Sequence, residues 1–260
     1  MIGLLPLRII MRIHLASTAN LGDFLNALPV LSGIHRGWGK FEFVIKSEMK
    51  KFNGIKEFLM YQDLFTDVLF EDEAIFIGNT ITLSSWTRED KNHPDRPIET
   101  CRYENWLRDN FPNLEFAVDD DFILKVKDYE SLTWNPGYYA GDRWSGPGID
   151  ARRKTNTLQH IAGLTFLDYT RPIMENAYFI KNCNDPFVST FTGISGIADL
   201  LNKKQIVLWG DDIHNWDNKP ITYSFEKHYY GNRNSRLMYM GDFEMERINE
   251  YFDIQEQDVS

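Results

Sequence analysis

Cysteine is nearly missing from this chain: Cys101 and Cys183 stand alone among 260 residues. That excludes a disulfide framework, and without a Cys-x-x-Cys or Cys/His cluster it leaves no thiolate metal centre. A reducing, cytoplasmic setting is expected. Positive charge is also in short supply, with 28 Lys and Arg against 38 Asp and Glu, a net charge of −10 and a sequence pI of about 5.1. Duplex nucleic acid is therefore not an expected partner, because its binders present a basic field to the phosphates. Long apolar runs are missing too. Residues 1–10 are interrupted by Pro6 and Arg8, are too short to span a bilayer and carry no small-residue cleavage site, so no transmembrane segment is expected. They lead directly into the first strand; Met11-Arg12-Ile13 would itself open such a strand, so Met1 and Met11 are both candidate starts. Tandem repeats and low-complexity tracts do not occur.

A hydrophobic content of 43% is enough for one large domain or two small lobes. The first half alternates strand and helix patterns. Residues 7–16 read as a buried strand broken by Arg8, Arg12 and His14, followed by a helix from about Asp23 through Phe24, Leu25, Leu28, Leu31 and Ile34. Strand patterns recur at 41–45, 68–70 and 81–83, with helical spacing over 48–60 and 100–107. Such alternation points to βαβ units and a mainly parallel sheet. Residues 84–99, with Trp86, Arg88, His93, Pro94, Arg96 and Pro97, read as a long loop. In the second half, strands are expected at 122–126, 138–140, 187–189 and 206–209, and helices at 155–164, 172–183 and from Thr190–Gly196 through Leu201. A final amphipathic helix would use Met245, Ile248 and Phe252 with Asp242 as N-cap. The lobe boundary is expected at about 127–135, dividing the chain into 1–130 and 131–260.

The most informative stretch is Asn20-Leu21-Gly22-Asp23, where the first strand hands over to a helix. Glycine there lets the backbone approach a ligand, and a helix start offers unpaired N–H groups. Asp23 would stand at the carboxyl edge of a parallel sheet, where open α/β folds bind their ligands. It equally suits the positive end of the helix as a stabilising charge, and the two readings stay open. Thr192-Gly193-Ile194-Ser195-Gly196 repeats the plan in the second half, with backbone N–H groups and the Thr192 and Ser195 hydroxyls able to hold a phosphate.

These two stretches together carry a resemblance. Ser17, Gly22, Asp23, Pro29 and Leu31 resemble the opening of the heptosyltransferase family, glycosyltransferase family 9. So do Asp185, Phe187-Val188, Thr192-Gly193, Ala198, Leu201, Lys203 and Leu208-Trp209-Gly210 in the second half. The resemblance implies an α/β protein with two Rossmann-like lobes (GT-B), here with a trimmed second lobe, since little room for a strand–helix unit lies between Leu164 and Pro172. It implies inverting, metal-independent transfer of a sugar from a nucleotide-sugar donor to a hydroxyl acceptor, most naturally a saccharide. No metal or other cofactor is expected. Asp23 matches the family's catalytic base. Thr192, Gly193, Ser195 and Gly196 would hold the donor diphosphate, with Arg143 and Lys154, from the Arg152-Arg153-Lys154 cluster, offsetting its charge. Ser17, Asn20, Gly22, Trp86 and Arg88 are candidates for the acceptor side. Two departures stand out: Phe191 occupies the position of the family's aspartate, and Gly196 that of its histidine.

A carboxylate suits the base role because the attacking hydroxyl must lose its proton. Asp119-Asp120-Asp121 offers a rival, a metal-binding Asp-x-Asp of another glycosyltransferase class, but an acidic turn at a lobe boundary accounts for it better. Asp211, Asp212 and His214 do not by themselves make a metal site, and His14, His35, His93, His160 and His228 show no ligand spacing. Trp86 and Trp144 fall in loops, where their rings could stack on a sugar or base. Two further readings are a polysaccharide pyruvyl-transferase-like enzyme, which also opens with Asn-x-Gly-Asp, and a catalytically degenerate GT-B-like protein that binds a nucleotide or a partner.

Overall fold

The computed structural model describes residues 11–18, 20–75, 80–86, 93, 95–132, 137–141, 158, 161–209, 221–231 and 233–252. Among them, every strand pairing is parallel, and the strands form two sheets. The first has the order β3 (Phe65–Phe70), β2 (Phe41–Ile45), β1 (Arg12–Leu15), β4 (Thr80–Leu83). The second has the order β6 (Leu164–Phe166), β5 (Tyr138–Gly141), β7 (Phe187–Ser189), β8 (Gln205–Trp209), β9 (Ser235–Tyr239). The alternating strands and helices of the sequence thus form the expected α/β architecture with two parallel sheets.

Parallel strands need crossovers, and the helices supply them. In the first half these are α1 (Leu21–Leu25), α2 (Leu28–Trp38), α3 (Ile55–Met60) and α4 (Ile98–Asn110). Aromatic packing fixes α1 on its sheet: Phe24 lies 6.0 Å from Phe43, which stacks on Phe65 at 4.8 Å. In the second half, α5 (Ile173–Asn182), α6 (Gly193–Leu200) and α7 (Ile221–Glu226) play the same part.

Several expected elements take a different form, for local reasons. The helix read from Asp23 to Ile34 is two helices, because Pro29 sits in the first turn of α2 and cannot continue an earlier helix. The helical spacing over 48–60 resolves into a 3-10 turn, Ser47–Lys51, and α3, separated at Gly54 with φ 72°. Residues 122–126 are extended but join no sheet. Lys125 is bracketed by the amide of Gln62, and Leu124 N–H donates to Leu200 O at 3.0 Å, so the segment's backbone is satisfied by a side chain and a helix end. Phe122, Leu124 and Val126 still alternate into the core. Leu164 opens β6 rather than ending a helix; three residues suffice for a strand in that tight space. The final helix does not form. Met245–Arg247 is a 3-10 turn, and the Tyr251 hydroxyl engages the backbone of Asp242 and Glu244. Ile248 reaches the β5–β8 cluster from this turn structure.

Candidate functional site

In each sheet, the strand order reverses direction of growth at one place, the position at which open α/β sheets in general hold their ligands. These points lie between β1 and β4 in the first sheet and between β5 and β7 in the second. The turn after β1 leads into α1, and the turn after β7 leads into α6.

The first turn carries a carboxylate near the surface. Asp23 lies in the first turn of α1, its side chain about 26% exposed. Thr18 Oγ1 donates to its Oδ2 at 3.3 Å and accepts from Asn20 N–H at 3.0 Å. Tyr103, buried on α4, donates to the Asp23 carbonyl at 3.2 Å and lies 3.5 Å from Ser17 Oγ. Ser17 also accepts from Ser85 N–H at 3.3 Å, which ties the β1 and β4 loops together. Trp86 follows β4 with 77% of its surface exposed. Asn20 is the exposed N-cap of α1, with no hydrogen bond from its side chain to the helix.

The second turn is built inward. Thr192 caps α6, accepting from Ser195 N–H at 3.4 Å, while Ser195 Oγ accepts from Thr192 N–H at 3.2 Å. Ser195 is fully buried, and its hydroxyl also meets the Tyr229 hydroxyl at 2.5 Å. Phe191 meets Phe225 and Tyr229 edge to face, and those two rings stack on each other at 4.6 Å. The turn's own side chains thus satisfy two of the orphan donors of a helix start.

The two turns meet directly. A Cβ on Gly22 would lie 3.8 Å from Gly193 Cα, and one on Gly193 would lie 2.5 Å from Leu21 Cβ. Gly196 faces Leu25 in the same way, at 3.2 Å from Cδ1. Leu21, Phe24, Leu25, Ile194 and Ile197 are buried along this seam. Each contributes roughly 1.5–3 kcal/mol by removal from water.

A third segment closes the junction. Residues after α7 cross between the halves: Lys227 O accepts from Glu99 N–H at 3.2 Å, and Tyr230 N–H donates to Asp199 Oδ2 at 3.2 Å. His228 points Nδ1 toward Asp23 Oδ1 at 3.8 Å. Burial pushes this imidazole below its ordinary value, against the opposing pull of the Asp23 charge. Glu99, 3% exposed, is pushed up by burial and by the Asp23 charge, and its Oε2 lies 3.6 Å from Arg102. Sequence reasoning passed over His228, Glu99 and Tyr103. Glu99 fell in the expected loop, and nothing in the spacing of His228 marks it, since its neighbours are supplied by α1 and α4.

Arg88, Arg143, Trp144, Arg152, Arg153, Lys154 and the Asp211, Asp212 and His214 loop lie outside the described residues. Two members of the acidic triplet are occupied internally: Asp119 accepts from Ser32 Oγ at 2.6 Å and pairs with Arg36, and Asp120 pairs with Arg96. Among the described residues no group of three or more His, Cys, Asp or Glu is disposed to hold a metal ion, and no helix is long and apolar enough to cross a membrane.

No family model matches the sequence, and no curated protein matches it. Solved structures do match the fold. Escherichia coli ADP-heptose lps heptosyltransferase II aligns with a TM-score of 0.53 at 11% identity, over 94% of this chain and 98% of that one. A glycosyl transferase family 9 protein from Veillonella parvula gives 0.53 at 10% identity, over 92% and 88%. Escherichia coli heptosyltransferase WaaC with ADP gives 0.50 at 13% identity, over 88% and 93%. The chain therefore has the GT-B-like fold of family 9 glycosyltransferases, two parallel sheets joined at their switch points.

Proposed function

We propose that this protein transfers a glycosyl group from a nucleotide-sugar donor to a hydroxyl acceptor, with inversion and with Asp23 as the proton acceptor. The observation that carries this reading is the convergence of the two switch points, with a partly exposed carboxylate one residue from the Gly22–Gly193 contact. Likeness of fold to structures named as heptosyltransferases supports the same reading.

The chemistry follows from the arrangement. The acceptor oxygen forms a bond to the anomeric carbon on the face opposite the leaving group, and the bond from that carbon to the diphosphate oxygen breaks. The electron pair leaves with the nucleoside diphosphate, while the hydroxyl proton passes to an Asp23 oxygen, a step worth about 10²–10⁴ in rate. Charge gathering on the diphosphate would be met at the start of α6. Because Ser195 is committed to the cap, the Gly193 and Ile194 N–H groups are assigned that task, with Thr192 and Gly196 shaping the turn. Arg143 and Lys154 remain the proposed counter-charges, and no metal is required by this scheme.

The test is release of free nucleoside diphosphate from ADP-, UDP- and GDP-sugars by the protein and by Asp23→Asn. One donor should turn over, and the variant should lose about 10²–10⁴ of that rate while still binding it. Equal rates would remove Asp23 from the mechanism.

The committed Ser195 hydroxyl and the Phe191 cluster favour a second reading, a nucleotide- or partner-binding GT-B-like module without turnover. Calorimetric binding of a nucleoside diphosphate, with no sugar released from any of the three donors, would select it.

A further inference from the structure

We infer that His228 is a positioning residue for Asp23, an imidazole brought across the junction to share the proton that the carboxylate takes up. The inference deepens the proposed transfer and rests on it, but its geometry stands on separate residues.

The orientation of Asn26 decides what His228 presents. Thr100 Oγ1 donates to the Asn26 carbonyl at 2.9 Å and lies 3.4 Å from its Oδ1. Asn26 Nδ2 donates to Gly22 O at 3.1 Å, so the amide has its oxygen toward Thr100 and its nitrogen toward His228. That nitrogen lies 3.4 Å from His228 Nδ1, which must then accept. The imidazole is consequently the neutral tautomer with its proton on Nε2. Its Nδ1 carries a single lone pair, which the Asn26 N–H engages at the long distance of 3.4 Å, and the same atom lies 3.8 Å from Asp23 Oδ1 with no proton between them.

Two acceptor atoms this close make a site for one proton once the imidazole exchanges its long Asn26 contact for Asp23. At 3.8 Å the gap exceeds a hydrogen bond, and a proton arriving on Asp23 draws the two atoms together. No new reactant is needed: the proton leaves the acceptor oxygen, reaches Asp23 Oδ1, and is then held between Oδ1 and Nδ1 while the nucleoside diphosphate departs. The charged and titratable groups around the pair are Asp23 on α1, Glu99 and Arg102 on α4, and Lys227 beside His228. Lys227 and Arg102 disfavour a free imidazolium, while burial does the same, so the proton is retained only in the company of Asp23.

The segment that carries His228 is anchored to both halves. Lys227 O binds Glu99 N–H, Tyr229 meets Ser195, and Tyr230 N–H binds Asp199. The Asp23–His228 pair therefore exists only where the two halves are joined, which distinguishes it from a base built on one turn alone.

The experiment is a titration of the full chain carrying ¹⁵N-labelled histidine, with the His228 signals assigned by their loss in His228→Asn. At neutral pH the wild type should show the Nε2–H tautomer. Replacing Asp23 by Asn should lower the proton affinity of His228 at least tenfold. An Nδ1–H tautomer, or the same midpoint in both proteins, overturns the inference. In turnover of whichever of the ADP-, UDP- or GDP-sugars is active, His228→Asn should lose at least tenfold in kcat with KM within twofold. The acid limb of its pH profile should move to lower pH, since nothing then shares the proton. A double variant with Asp23→Asn should be no slower than Asp23→Asn alone. Unchanged kcat and an unmoved acid limb in His228→Asn overturn the inference while leaving Asp23 as base. Unchanged turnover in Asp23→Asn overturns the base reading instead.

Discussion

The two strand–turn–helix units differ in where they send their polar groups. The turn after β1 leaves Asp23 partly exposed, held by one Thr18 hydrogen bond and faced by an imidazole. The turn after β7 folds its hydroxyls back onto its own backbone and carries its helix's carboxylate, Asp199, to a site 1% exposed. Similar backbone plans thus serve opposite ends. One keeps a reactive group available, and the other provides a rigid wall against which the first is set.

Asp23→Asn attacks the open side, and its expected effect is the largest, a loss of about 10²–10⁴ in turnover with unfolding unchanged. On the closed side, the buried carboxyl of Asp199 is pushed up to about 6 by desolvation, against the pull of Arg233 and the Ser235 and Tyr230 hydrogen bonds. The folded form therefore binds its proton more tightly than the unfolded form, whose reference value is 3.8. The contribution of this group to stability is complete below the unfolded value and is lost as pH rises through the folded one. Urea unfolding at pH 4 and pH 7 should show wild type losing about 2 kcal/mol that Asp199→Asn does not lose. A parallel pH dependence in the two proteins would contradict this assignment.

The contact between the turns offers an asymmetric pair of variants. Gly193→Ala drives a Cβ against Leu21 and the Gly22 backbone and should cost about 1–3 kcal/mol, read as a lower urea midpoint. Gly22→Ala meets only an ordinary contact at 3.8 Å and should be neutral or gain up to about 1 kcal/mol from helix propensity. Loss of turnover in that stable variant would indicate that a ligand approaches the Gly22 backbone. The smallest effect is expected for Tyr229→Phe, which removes the hydroxyl facing Ser195 and should cost about 1 kcal/mol. A Tm equal to wild type would mean that Ser195 is satisfied by its cap alone.

Much of the architecture was legible because its signals are local. The β-rich residues 41–45 and 206–209 lie within β2 and β8, which are buried in parallel sheets, and the spacing over 172–183 matches α5. Legibility failed where local pattern competes with distant partners. Phe122, Leu124 and Val126 alternate as a strand would, yet Gln62 and Leu200 claim the neighbouring backbone. Met245, Ile248 and Phe252 have helical spacing, but the Tyr251 hydroxyl holds the preceding turn in another form. Ser195 carries a hydroxyl suited to phosphate, but the folded turn gives it to the Thr192 carbonyl and to Tyr229, 34 residues away.

By itself, the sequence determined the alternation of strands and helices, the two glycine turns and the carboxylate in the first of them, because each depends on residues within a few positions of one another. The tertiary structure decided that those turns touch, that His228 and Glu99 stand beside Asp23, and that Ser195 is buried. These outcomes join residues as far apart as 23 and 228. Such neighbours are chosen by how two sheets and their helices bury apolar surface together, which no local spacing encodes.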